Sequence, residues 1–153
     1  MSVYRNLRLL ALLCVLVGCT VEGSAQEYLS EVFPPGYQTE ITDSCGGGLS
    51  PVVVLFDVSH PLNGEAKLVG FEPELGKWTR ASSMRQFAET NSSRDVAGTI
   101  LDTKDCLKKL LTDANTVLGQ SMPGLYFRND FGSVVIVLPE DQPGTGILFS
   151  QGR

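Results

Sequence analysis

The sequence predicts an α+β domain, a small antiparallel sheet of about five strands with one main helix packed on a face. Three observations carry that expectation. Val52 to Val58 and Val134 to Leu138 are short, β-branched, almost continuous apolar runs, as strands buried on both faces require. Leu107, Leu110, Leu111, Ala114, Val117 and Leu118 recur at spacings of three and four, which puts one apolar stripe on a helix from Lys104 to Leu118. The links between strand candidates are short and turn-rich, which favours hairpins over the long crossovers that parallel strands need.

Taken in order, residues 19–30 are small and polar and read as a tether ahead of a domain at 31–153. Pro34-Pro35-Gly36 breaks any helix, and Gly46 to Gly48 lets the chain bend after Cys45. The Val52–Val58 strand runs into a turn at His60 to Gly64, with Ala66 to Phe71 as its expected antiparallel partner. Glu72 to Gly76 reads as loop, and Ser82 to Thr90 as a short helix capped by Ser82 or Ser83. Thr99 to Leu101 is open between a strand and the lead into the next element. Asp102 or Thr103 is positioned to cap the main helix, Gly119 to stop it, and Pro123 to prevent its continuation. Leu125 to Arg128 and Ser133 to Leu138 are joined by a hairpin turn at Asn129 to Gly132, and Ile147 to Ser150 closes the chain as an edge strand.

The chain opens differently. Arg5 and Arg8 precede an apolar run from Leu9 to Val17, too short to span a bilayer but suited to an export signal. That run ends in Leu16-Val17-Gly18-Cys19, which resembles the lipobox of bacterial lipoprotein precursors. The resemblance covers residues 1–18 and the cysteine that follows, and nothing of the domain. It implies a diacylglycerol (palmitate-type chains) on the Cys19 thiol, cleavage before Cys19 and acylation of the new amine. It further implies, through Thr20 in place of an aspartate, an outer-membrane location facing the periplasm. Several acyl chains, at roughly 0.8 kcal/mol per buried CH₂, make a durable anchor. The competing reading is ordinary cleavage after Gly23-Ser24-Ala25, before Gln26, giving a secreted chain. In a eukaryotic pathway the Asn91-Ser92-Ser93 sequon would then be a glycosylation acceptor.

Removing residues 1–18 from the 153 leaves 135, enough for one core. Basic residues then fall from 12 to 10 against 17 acidic ones, for a net charge of about −7. That balance argues against nucleic acid, whose phosphates need Lys and Arg, and is compatible with a basic protein partner. With Cys14 in the signal and Cys19 acylated, Cys45 and Cys106 remain as a pair that oxidising export conditions would join. Two thiols and the single histidine do not make a zinc site, and no motif asks for a cofactor.

Few residues of the chain carry a catalytic pattern. Asp57 and Ser59 share one face of a strand and His60 the other, so they cannot form a triad locally. The glycine triplet lacks the Lys-Ser/Thr of a phosphate loop. Two aromatics suit partner recognition: Trp78, flanked by Lys77 and Arg80, and Phe131 in a hairpin turn. The leading expectation is a non-catalytic, lipid-anchored, protein-binding domain of the cell envelope, either an inhibitor or immunity protein of a wall-degrading enzyme or an accessory subunit of an envelope machine. Its rivals are a secreted glycoprotein with Asn91 occupied and a small secreted hydrolase with His60 beside Glu140 or Asp141.

Overall fold

The computed structural model describes residues 21–47, 50–59, 68–74, 76–90, 94–111 and 122–151. Helix α1 (Val21–Val32) comes first, then strands β1 (Gln38–Cys45) and β2 (Val52–Ser59). Strand β3 (Gly76–Ala81) leads into helices α2 (Met84–Thr90), α3 (Arg94–Asp102) and α4 (Lys104–Leu110). Strands β4 (Gly124–Asn129), β5 (Val134–Pro139) and β6 (Thr145–Ser150) follow. All pairings are antiparallel and the order across the sheet is β1-β2-β6-β5-β4-β3. The antiparallel α+β class stands, with a sixth strand.

Both faces of the sheet are covered, which explains the unbroken apolar runs. Alternate residues of one strand point to opposite faces. Val54, Phe56, Phe127, Ile136 and Leu148 therefore pack beneath α1, through Ala25, Leu29, Val32 and Phe33. Their neighbours Val53, Tyr126, Val135, Val137, Ile147 and Phe149 pack against Met84 and Phe87 of α2, Val96 and Ile100 of α3, and Leu107 of α4. A strand with a helix on each side has no wet face on which to place polar residues.

Residues 21–30 are a helix rather than a tether. Val21, Ala25, Leu29 and Val32 recur at spacings of four, four and three, an apolar stripe that Gly23, Ser24 and Ser30 obscure in the sequence. Leu29 is completely buried, worth about 2 kcal/mol, and Glu22 in the first turn suits the positive end of the helix dipole. Pro34 and Pro35 end the element, since the residue before a proline is steered away from helical backbone.

Several other expectations change. β6 is not an edge strand; it lies between β2 and β5, and the edges are β1 and β3. β2 pairs with β1 and β6, not with residues 66–71; of that stretch residues 68–70 turn helically and 66–67 lie outside the described residues. Thr99 to Leu101 belongs to α3. The main helix ends at Leu110, with Leu111 in extended backbone, and residues 112–118 lie outside the described residues. Thr103 does not cap α4 with its side chain; its hydroxyl turns back to donate to the carbonyls of Thr99 and Ile100 in α3. The α2 cap is as read: Ser83 Oγ accepts from the Gln86 N–H at 3.1 Å, and the Gln86 side chain accepts from the Ser82 N–H at 2.7 Å.

Strand register sets which features meet at one end of the sheet. Val52 pairs with Ser150, Ser150 with Val134, and Asn129 with Gly76. Cys45 at the end of β1 and the hairpin turn between β4 and β5 therefore share that end.

Candidate interaction surface

Phe131 sits at the tip of the β4–β5 hairpin and is 73% exposed, the most exposed large apolar side chain among the described residues. Its turn is rigidly held. The buried Asn129 donates through Nδ2 to Ser133 Oγ at 3.1 Å and accepts through Oδ1 from the Val134 N–H at 3.0 Å. Gly132 supplies the left-handed backbone the turn needs, at φ 71°. Its carbonyl accepts from the buried Thr99 hydroxyl of α3 at 2.8 Å. Holding an aromatic ring in water on a fixed loop is unfavourable unless something covers it.

Leu101 is the next most exposed, at 68%, two residues along α3 from the Thr99 that grips the hairpin. The sequence offered no reading for it, because its placement depends on α3 forming there. The third, Val69 at 45%, adjoins Leu68, which lines a pocket with Val58 and Leu138 away from the Phe131 turn.

Trp78 is not available to a partner. It is 2% exposed, packed between Phe33 and Phe127 in tilted contacts at ring-centre distances of 5.2 and 5.3 Å. Its Nε1–H donates to the Val32 carbonyl at 2.9 Å, satisfying a C-terminal carbonyl of α1 that the helix leaves without a partner. The flanking Lys77 and Arg80 point to solvent, so the cations that suggested recognition are the wet part of an edge strand.

The hydrolase reading places a site on the loops after Val58 and Leu138. A pocket does lie there, lined by Tyr37, Val58, Leu138, Glu140 and Thr145, but it holds only about 50 Å³. Substrate pockets run to several hundred Å³. Glu140 accepts from Arg80 Nη1 at 2.7 Å, which occupies one of its carboxylate oxygens. His60 lies outside the described residues, and Asp57 and Ser59 are both exposed on β2. A wider, shallow cleft of about 360 Å³ runs between the end of α1 and the start of β1. Its Gln26 amide is spent on Thr39, donating to the carbonyl at 3.0 Å and to the hydroxyl at 2.9 Å. Among the described residues no group of His, Cys, Asp and Glu could hold a metal ion.

Cys45 and Cys106 are joined in a disulfide that ties β1 to α4, with their Cα atoms 5.6 Å apart. Cys19 and Asn91 lie outside the described residues.

Tyr28 of α1 faces the same end. Its ring meets Phe127 edge-on, and its hydroxyl is buried with no hydrogen-bond partner among the described residues. Burial, followed by the negative charges of Glu31 and Asp130, pushes its pKa from 10.0 up to about 12. Burial raises the Tyr126 pKa as well. The fold resists ionising this tyrosine, so the protein keeps its full stability with respect to this group below pH 10, where folded and unfolded states are both protonated. That stability is lost as pH rises from 10 towards 12, because the unfolded chain ionises first. Urea unfolding is expected to show a falling midpoint across that interval. Tyr28→Phe should flatten the fall and, by removing an unpaired buried hydroxyl, add about 1 kcal/mol at neutral pH. An unchanged alkaline slope in that variant would refute the assignment.

Comparison with family models, curated proteins and solved structures finds no match. The fold and its bridge define a disulfide-tied α+β domain, in which the described residues form a six-stranded antiparallel sheet with one helix on one face and three on the other.

Proposed function

We propose that this chain is an exported, lipid-anchored, non-catalytic domain that binds another protein of the bacterial envelope, as an inhibitor or immunity protein or as an accessory subunit. The observation that carries the reading is the position of α1. Cleavage before Gln26 would cut this helix within its second turn, discarding the buried Ala25 and the Val21 that packs on the core. Cleavage before Cys19 leaves the helix whole and sets the acylated residue two positions ahead of it. The Cys45–Cys106 bridge adds support, since disulfides persist in oxidising compartments such as the periplasm.

The test is the intact mass of the mature protein from its native host, beside a Cys19→Ala variant. A chain starting at Cys19 with acyl chains, both lost in the variant, is expected. An unmodified chain starting at Gln26 would overturn the anchor and raise the secreted readings, which sugar on Asn91 would separate. Crosslinking in the same cells is expected to join the protein to one discrete envelope protein. Monomer alone would overturn the binding half.

A further inference from the structure

We propose that the end of the sheet carrying Phe131 is a membrane-contact face, with Phe131 and Leu101 seated in the interfacial layer of the bilayer that holds the acyl anchor. The inference rests on the acylation of Cys19 and adds an orientation to it.

Three placements converge on that end. The first is the anchor. Val21 opens α1, and its side chain lies over Gly47, just beyond the end of β1. Next to it, Ser44 Oγ donates to Glu22 Oε1 at 3.2 Å. The start of α1 is therefore at the end of the sheet where β1 finishes and β2 begins. Cys19 is two residues earlier, and two residues fully extended reach only about 7 Å. A flexible tether of a dozen residues would have let the domain tumble away from the lipid; a helix docked on the core from Val21 onward does not.

The second placement is Phe131. The register puts its turn at the same end, and Tyr28, two helical turns into α1, feels the charge of Asp130 beside it. The third is Leu101, on the α3–α4 stretch that the Thr99–Gly132 hydrogen bond and the Cys45–Cys106 bridge hold at this end. Its side chain is turned away from Thr99 by roughly 200° around the helix. The two most exposed large apolar side chains among the described residues thus lie on the end from which the anchor departs. An amphipathic surface at a membrane buries its apolar residues roughly 5–10 Å into the boundary between headgroups and acyl chains. Aromatic rings favour that depth.

The contact is apolar rather than electrostatic. Glu22 and Asp130 are exposed at this end, so it has no attraction to anionic lipid of the kind a basic patch would supply. It follows that a protein partner is met by other surfaces of the domain, with Phe131 occupied by lipid.

The experiment uses the acylated full protein carrying Phe131→Trp, placed in phosphatidylcholine vesicles with brominated acyl chains. The parent has a single tryptophan, the buried Trp78, whose emission provides the baseline. The emission added by the new indole is expected to be blue-shifted and to fall roughly twofold relative to vesicles of unbrominated lipid, as for a ring in the interfacial layer. Protein that floats with the vesicles while the added emission stays at the water-exposed wavelength and unquenched would overturn the inference and leave the anchor intact. Shielding that arises only in native envelope membranes, and not in pure lipid, would give Phe131 to a protein partner and also overturn it. Loss of flotation with a mass lacking acyl chains would bring down the anchor reading itself, and the inference with it.

Discussion

Replacing both bridge cysteines, Cys45→Ala with Cys106→Ala, is expected to lower stability by about 4 kcal/mol and the melting temperature by on the order of 15 °C. The two residues are 61 apart in sequence, and a cross-link over a loop that long removes much of the unfolded chain's freedom. The local context sharpens the expectation. β1 is an edge strand of sequence Gln-Thr-Glu-Ile-Thr-Asp-Ser-Cys, and Ile41 is the only large apolar side chain it offers the core. Its register slips between Ile41 and Asp43, a device that discourages pairing with another chain but also weakens its own ladder. The bridge pins the end of that weak strand to α4, which buries Leu107 on the opposite face. Thermal unfolding with and without reductant checks this directly. An unchanged midpoint would mean that β1 holds its place through hydrogen bonds alone. Because β1 ends beside the start of α1, the same variants should also loosen the packing of that helix's first turn.

Truncating Trp78 to alanine is expected to cost about 4 kcal/mol, by removing a buried aromatic and leaving a cavity. The Val32 carbonyl then also loses its donor, a further penalty of about 1 kcal/mol or more. Trp78→Phe separates the two effects, keeping most of the packing against Phe33 and Phe127 while deleting the Nε1 hydrogen bond. It should cost about 1–2 kcal/mol. Denaturant midpoints for the pair decide the point. If the alanine variant unfolded near the parental midpoint, the indole would not be a core residue and its role in partner binding would have to be reopened.

Trp78 and Phe131 show where reading residues in sequence reaches its limit. Both are aromatics beside charged or turn residues, and local chemistry treats them alike. The difference lies in what crosses over them. Trp78 is covered because α1, 46 residues earlier in the chain, lies across β3 and offers the Val32 carbonyl. Phe131 is left bare because α3 meets this hairpin at the Gly132 carbonyl and leaves the neighbouring ring uncovered. No window of neighbouring residues carries that information. The same reason hides α1, whose stripe of Val21, Ala25, Leu29 and Val32 is interrupted by small polar residues and becomes helical by packing rather than by propensity. It also hides β1 and β3, since edge strands need little apolar surface and so lack the pattern that reveals β2 and β5.

Local chemistry was sufficient wherever a segment's own residues decide its state. The runs Val52–Val58 and Val134–Leu138 are β-branched and could be satisfied only inside a sheet. Ser83 and Gln86 form their cap within four residues, and Cys45 and Cys106 are the two cysteines that follow residue 19. Tertiary structure alone decided that helices close both faces, that β6 is interior, and that α1 continues almost to Cys19. It alone decided that Phe131 emerges at the end of the sheet where α1 begins, and that Leu101 is left exposed on α3. These outcomes depend on contacts between segments far apart in the chain, whose free energy is set by which surfaces meet and not by the residues on either side.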